Sequence, residues 1–243
     1  MSILGLSALL YAGSAAAYIA DLYGAEARLL GWCLAGAGAL GGVLAVLLGR
    51  LPLRGAALPV ESLTWLIVTN FLIADGFLGL RAAGALLMPV VTLASLVPLL
   101  LPHAADVGAR LSGVHLFAAL FAYGAFALAF SASGLYLVQE RALRRRAFHG
   151  PYRRVPPLLW LDRAAHGLIA LGVPMLILAA ATDVWHRPWT AVGTALMLVP
   201  YAIYLWARAG RGLRGRGAAR LAVWGFTGVL VNLLVLSLLV NAV

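Results

Sequence analysis

Long apolar runs, separated by short polar connections, repeat along the whole chain. Eight of them fall at about 3–20, 29–48, 61–80, 84–101, 113–138, 163–183, 189–207 and 221–241. Most are close to the roughly 20 helical residues that cross a hydrocarbon core. Within each run the apolar positions are continuous rather than alternating, which excludes a barrel of two-faced strands. Lipid offers backbone N–H and C=O groups no partner, so the spans must satisfy their own hydrogen bonds as helices. The pattern predicts an all-α fold, a polytopic membrane helix bundle with about eight transmembrane helices. The connections are short, so residues 1–243 read as a single transmembrane domain. The first run, Met1 to Ala20, has no charged leading segment and reads as a first span rather than a removed signal. No internal repeat is visible, which weakens a transporter reading.

Composition agrees with the pattern. The chain is 63% hydrophobic and 11% charged, where a soluble domain carries roughly 25% charged residues. The formal net charge of +10 suggests nucleic acid only until the basic residues are located. All 18 are arginine, and they gather between the apolar runs. The connections after spans 1, 3, 5 and 7 hold Arg28, Arg81, seven arginines from Arg141 to Arg163 and five from Arg208 to Arg220, fourteen in all. The other side holds four: Arg50, Arg54, Arg110 and Arg187. Cytoplasmic loops carry the arginine excess. The expected setting is a bacterial inner membrane with both termini external. Arg144, Arg145 and Arg146 are then expected to lie against anionic lipid headgroups of the cytoplasmic leaflet.

Few side chains in the spans can do chemistry. Cys33 is the only cysteine, so no disulfide, CxxC pair or CxxCH haem-attachment site exists within the chain. No nucleophile–base arrangement, phosphate-binding loop or dinucleotide fingerprint appears. Among the five histidines, His149 lies in the arginine-rich loop, and His166 begins span 6 as a cap, a hydrogen-bonding group or part of a second site. His103 and His186 sit in external loops, His186 between the interfacial Trp185 and Trp189. His115 enters span 5 one turn from the outer surface. Positions 118, 122, 125, 129 and 132 below it are all alanine. Their 3–4 spacing draws one stripe down the helix, and small residues mark close helix contact in membranes. His115 should therefore point into the bundle, as a hydrogen-bonded interior group or as a metal or haem-iron ligand. In span 3, Asn70 reads as interhelical glue and Asp75 as a partner for Arg81. A proton relay from Asp75 would need a chain of partners, and the pattern displays none.

Several fragments, taken in order, resemble the cytochrome c assembly superfamily of haem-handling membrane proteins, which includes CcsA and the HemX-like and YpjD-like proteins. They are Leu58-Pro59-Val60-Glu61-Ser62-Leu63-Thr64-Trp65, Val114-His115-Leu116, Phe121-Ala122-Tyr123-Gly124 and Tyr136-Leu137-Val138-Gln139-Glu140-Arg141. They continue as Pro156-Pro157-Leu158-Leu159-Trp160-Leu161-Asp162, Leu171-Gly172-Val173-Pro174, Tyr204-Leu205-Trp206-Ala207-Arg208, Gly215-Arg216 and Gly225-Phe226. The resemblance covers most of the chain, more firmly after residue 100. It implies haem handling at the outer membrane face, and His115 matches the family's first external haem-ligating histidine.

Departures from the family pattern place the chain closer to the HemX-like branch. The tryptophan-rich signature before span 7 is reduced to Trp185 and Trp189. Trp206 replaces the histidine of the penultimate span, no histidine follows Asn232, and Ala56 and Ala57 stand where another histidine is expected. Synthase activity is therefore not expected.

The resemblance implies haem b held non-covalently, with His115 as one axial ligand and His186, or in reserve His103, opposite. Phe121 or Tyr123 would flank the macrocycle, and Arg187 or Arg110 would pair with a propionate. The alanines below His115 either leave room for the macrocycle or pack the helices tightly. An expected partner is a membrane protein of cytochrome c assembly. The alternative readings are a non-catalytic regulator or scaffold that binds another membrane or haem-biosynthesis protein, and a small-molecule transporter.

Overall fold

The computed structural model describes residues 3–47, 57–78, 81–100, 113–146, 155–183 and 188–242. Eight helices follow in order: α1 (Ile3–Leu22), α2 (Arg28–Leu47), α3 (Ala57–Leu78), α4 (Arg81–Leu100), α5 (Gly113–Arg144), α6 (Leu158–Asp183), α7 (Pro188–Arg211) and α8 (Arg216–Ala242). No strand occurs among the described residues. The expected all-α architecture of about eight helices is the one observed.

Helix ends differ from the expected spans where charged residues continue the backbone ladder beyond the apolar run. α5 extends past position 138 to Arg144. Glu140 and Arg144 pair one turn apart, with Arg144 Nε 2.9 Å from Glu140 Oε1. Arg141 and Arg144 also occupy the last turn, where cations complement the carbonyl end of the helix. α6 starts at Leu158, earlier than 163. The Pro157 carbonyl just before it accepts from Trp160 N and Leu161 N at 2.9 and 3.1 Å. Three described stretches are long and apolar enough to cross a membrane: Gly5–Leu22, Phe117–Arg144 and Leu158–Thr182. Shorter apolar stretches lie at Arg28–Leu44, Thr64–Gly76 and Ala82–Leu96.

The sequence pattern reads as one domain; by compactness the chain divides into two units, Met1–Ala109 with Leu234–Val243, and Arg110–Leu233.

In the first unit α1 pairs most extensively with α2 and α4. Aromatic rings press onto glycine backbones there. Tyr11 and Tyr18 of α1 are fully buried. A Cβ added at Gly38 would lie 2.6 Å from Tyr11 Cε1, and one at Gly84 would lie 2.7 Å from Phe71 Cζ and 2.8 Å from Tyr18 Cδ1. The Trp65 indole rests on Gly42 in the same way. Tyr18 and Phe71 meet edge to face at 5.3 Å, the arrangement favoured by the ring quadrupoles. Asp75 is paired with Arg28: Arg28 Nε lies 3.3 Å from Asp75 Oδ2, and Arg28 Nη2 donates to the Asp75 carbonyl at 3.2 Å; the expected partner, the side chain of Arg81, lies outside what the structure describes. The start of α2 lies beside the end of α3, which brings together residues 47 positions apart in sequence.

In the second unit the leading pair is α5 and α6. The alanine stripe of α5 forms its buried seam. Ala118, Ala122 and Ala132 are 0% exposed, Ala129 1% and Ala125 4%. Of the two roles open to these alanines, close packing is the one observed. Gly172 of α6 takes the edge of Phe126, and Phe126 in turn stacks on Tyr201 of α7 with centroids 3.9 Å apart. α8 closes against α7 through Asn232 Nδ2, which donates to the Gly193 carbonyl at 2.8 Å.

Candidate functional site

His115 lies in the first turn of α5, half-buried, with its ring turned to the end of α6. Its Nδ1 is 2.9 Å from the Ala179 carbonyl and 3.3 Å from Thr182 Oγ1. A carbonyl only accepts, so this contact requires the proton on Nδ1 and puts the imidazole lone pair on Nε2. Thr182 spends its own proton on the same carbonyl, at 2.7 Å. Its oxygen is therefore turned to accept from the histidine. Thus the sequence expectation that His115 points into the helix packing holds, and its orientation comes from α6.

The other candidates divide sharply. Tyr123 packs against Ala118, Ala119 and Ala179, one cluster with the carbonyl that holds His115. Its hydroxyl donates to Met197 Sδ at 3.5 Å. Phe121 stacks on Phe117, centroids 6.2 Å apart, and Phe117 is 69% exposed. That pair is on a more outward face than the alanine seam. His103, Arg110, His186 and Arg187 lie outside the described residues, as does His149.

A second cluster at the opposite ends of these helices was not singled out from the residue pattern. Asp162 of α6 accepts a forked pair of bonds from Arg208 of α7, 2.7 Å from Nη2 and 3.0 Å from Nη1. The backbone N–H of Gly215, in the turn between α7 and α8, adds a third at 3.2 Å. Arg208 also reaches the Tyr204 hydroxyl at 3.4 Å. Gly215 has φ +68°, and a Cβ there would lie 2.9 Å from the Tyr136 hydroxyl. Glycine meets both demands. Glu140 adds pairs to Arg144 and Arg216 at 2.8 and 3.7 Å. The clamp thus joins four fragments on which the family resemblance rests, spread along the sequence from Glu140 to Arg216. Charged residues at helix ends were the available signal, but their sequence separation hides the pairing.

Both clusters lie within the stretch that matches known proteins. The profile of the family described as cytochrome C assembly protein matches residues 58–243. The chain belongs to that family. Helices α1 and α2 precede the matched region. Among curated relatives, Protein HemX of Bacillus subtilis (strain 168) is 30% identical over 135 residues, which is 51% of this chain and 49% of the relative. Protein HemX of Brevibacillus brevis is 30% identical over 130 residues, 49% of this chain and 48% of the relative. The chain spans about half the length of the curated relatives it matches. No solved structure matches. Family membership and the apolar helices make this a membrane protein connected with cytochrome c biogenesis, consistent with a HemX-like branch.

Whether the residues suit a haem can be judged on His115 itself. Metal-ligating histidines commonly donate their second ring N–H to a carbonyl, which fixes ring and tautomer, and His115 has that arrangement. Among the described residues no three His, Cys, Asp or Glu side chains come together as a metal-ligand group. A haem iron does not need one, because its macrocycle supplies the equatorial nitrogens. The chemistry of the ring therefore fits a haem iron, which His115 would hold through Nε2. The alanines below it are buried and leave no slot, so a macrocycle held by His115 would have to lie outside the α5–α6 contact.

Proposed function

We propose that this chain is a haem-handling membrane protein acting in c-type cytochrome assembly or haem biogenesis, with haem b held non-covalently near the outer face. The observation that carries the reading is the Nδ1 contact of His115 with the Ala179 carbonyl, which fixes the ring and puts the imidazole lone pair on Nε2, the nitrogen to which we assign the ligand role. Family membership over residues 58–243 supports the same reading. Bound haem supplies an iron centre for ligand exchange and electron transfer. The protein's part is to orient His115 through Ala179 and Thr182. His186, with His103 in reserve, is proposed as the opposite ligand, and Arg187 or Arg110 as the propionate partner. Phe121 or Tyr123 is proposed as the flanking ring. On the arginine-rich side, exposed Arg141, Arg144, Arg145 and Arg146 suit anionic headgroups, and a membrane partner in cytochrome c assembly is proposed.

The test is to purify wild type, His115→Ala, His186→Ala and Thr182→Ala from haem-replete cells and compare Soret absorbance per protein. Wild type should show a band and His115→Ala should lose most of it. Thr182→Ala should weaken haem affinity about tenfold, as loss of a group orienting a ligand does. A His115→Ala protein with the wild-type band would remove His115 as the ligand. A wild type without a band, even after haem is added, would replace this reading with a non-catalytic regulator or scaffold. The closed alanine seam favours that second reading, because it is used for helix packing alone.

A further inference from the structure

Asp75 on α3 is fully buried. One of its oxygens faces Arg28 at 3.3 Å, while the other, Oδ1, has no hydrogen-bond partner. Arg28 is 35% exposed, so the pair opens toward the helix ends. Beside the carboxylate stands the Tyr18 hydroxyl, also without a formed hydrogen bond, and two turns further along α1 the Tyr11 hydroxyl is in the same condition. Buried polar atoms almost always have partners, and inside a membrane the requirement is stricter.

These groups lie on one line. Ser7, Tyr11, Ser14, Tyr18 and Asp21 follow each other at 4–3–4–3 spacing, and all five are at most 6% exposed. The line faces the interior of the first unit. Ser14 Oγ donates to the Gly31 carbonyl of α2 at 2.7 Å, and Tyr18 meets Phe71 of α3 and Gly84 of α4. From Ser7 to Asp21 the line rises about 21 Å along the helix, most of the ~30 Å hydrocarbon thickness. The charged groups near Tyr18 are Asp75, Arg28 and Asp21; residues 82–96 of α4 hold no titratable side chain.

We propose that the interior of the first unit is a proton path: a file of water molecules along the Ser7–Asp21 face of α1, with Asp75 as the proton-exchanging group at the Arg28 end. The Asp75 carboxylate takes a proton from water on the Arg28 side and gives it to a bridging water. The Tyr18 hydroxyl accepts a proton on its oxygen and releases its own hydrogen to the next water. Tyr11 repeats the step. Only O–H bonds form and break, and no oxidant or reductant takes part. A hard metal cation suits the site less well, because it takes about six or more oxygen ligands and the line offers single hydroxyls beside ring-on-glycine packing. This inference does not depend on the haem reading, and α1 precedes the family-matched residues.

The experiment reconstitutes the full chain into phosphatidylcholine–phosphatidylglycerol vesicles containing a pH-sensitive dye. A valinomycin potassium potential then drives proton uptake. Wild type should take up protons about tenfold faster than protein-free vesicles, as expected for an intramembrane relay. Asp75→Asn should fall to the protein-free rate, Tyr18→Phe should lose most of the excess rate, and Leu40→Ala on the exposed face of α2 should match wild type. Tyr11→Phe removes one hydroxyl without changing ring packing, so it tests the path if Asp75→Asn does not fold; it should also lose most of the excess. A wild type no faster than protein-free vesicles overturns the proposal. So does a folded Asp75→Asn or Tyr11→Phe that keeps the wild-type rate.

Discussion

Helices α1 and α5 carry stripes of the same 3–4 spacing, yet the stripes are made of opposite materials. On α5, His115 is followed by five buried alanines, and the seam places helix backbones close together. On α1, the stripe alternates serine with tyrosine and ends on Asp21. Close approach in the first unit comes instead from glycines on the neighbouring helices, Gly31, Gly38 and Gly84, which receive the tyrosine rings. A methyl seam needs nothing beyond contact. A hydroxyl stripe creates a demand for partners, met at Ser14 by the Gly31 carbonyl and unmet in the protein at Tyr11 and Tyr18. Periodicity therefore says that a helix face is buried. The chemistry of the face says whether burial serves packing alone.

The largest expected effect lies at the charged pair that closes each unit. Arg208→Ala leaves the Asp162 carboxylate without its forked partner, and both side chains are nearly buried. The expected loss is about 3–5 kcal/mol, read as a lowered thermal midpoint in detergent. Arg28→Ala should cost less, because Arg28 is one-third exposed and water can replace part of the contact. If the two variants melted alike, the distinction between a sealed clamp and an open-ended pair would not stand.

A smaller effect separates the stripes themselves. Ala122→Leu forces a larger side chain into the α5–α6 seam and should destabilise by about 1–3 kcal/mol. Tyr11→Phe, which removes a hydroxyl that no protein group satisfies, should change stability by less than about 1 kcal/mol. Equal losses in the two melts would mean that the α1 stripe is packing too. Smallest of all is Arg144→Gln. It removes an exposed one-turn pair with Glu140, for an expected change of about 0.3–0.5 kcal/mol. A loss several times larger would show that Glu140 belongs to the clamp rather than to the surface.

Much of this was readable before any coordinates. Continuous apolar runs near membrane length gave the number of helices, since backbone hydrogen bonding in lipid permits little else. The alanines at 118, 122, 125, 129 and 132 marked a buried face, and His115 at its head was placed on the interior side. The α1 stripe is equally periodic, but its tyrosines and serines sit within an apolar average that hides it. The chain of partners that Asp75 lacked in the sequence pattern was there on another helix.

What the amino-acid order determined by itself was local: which segments are helical, which face of each is small or polar, and where charge collects. Those properties follow from residues three or four positions apart on one helix. The tertiary structure decided the rest. Asp75 is paired with Arg28, Asp162 with Arg208 and Gly215, and His115 with the Ala179 carbonyl. Each depends on which helix ends become neighbours, and no spacing along a single helix encodes that choice. A buried charge or imidazole takes its partner from whatever packing brings within about 3 Å, so these pairings exist only once the helices are assembled.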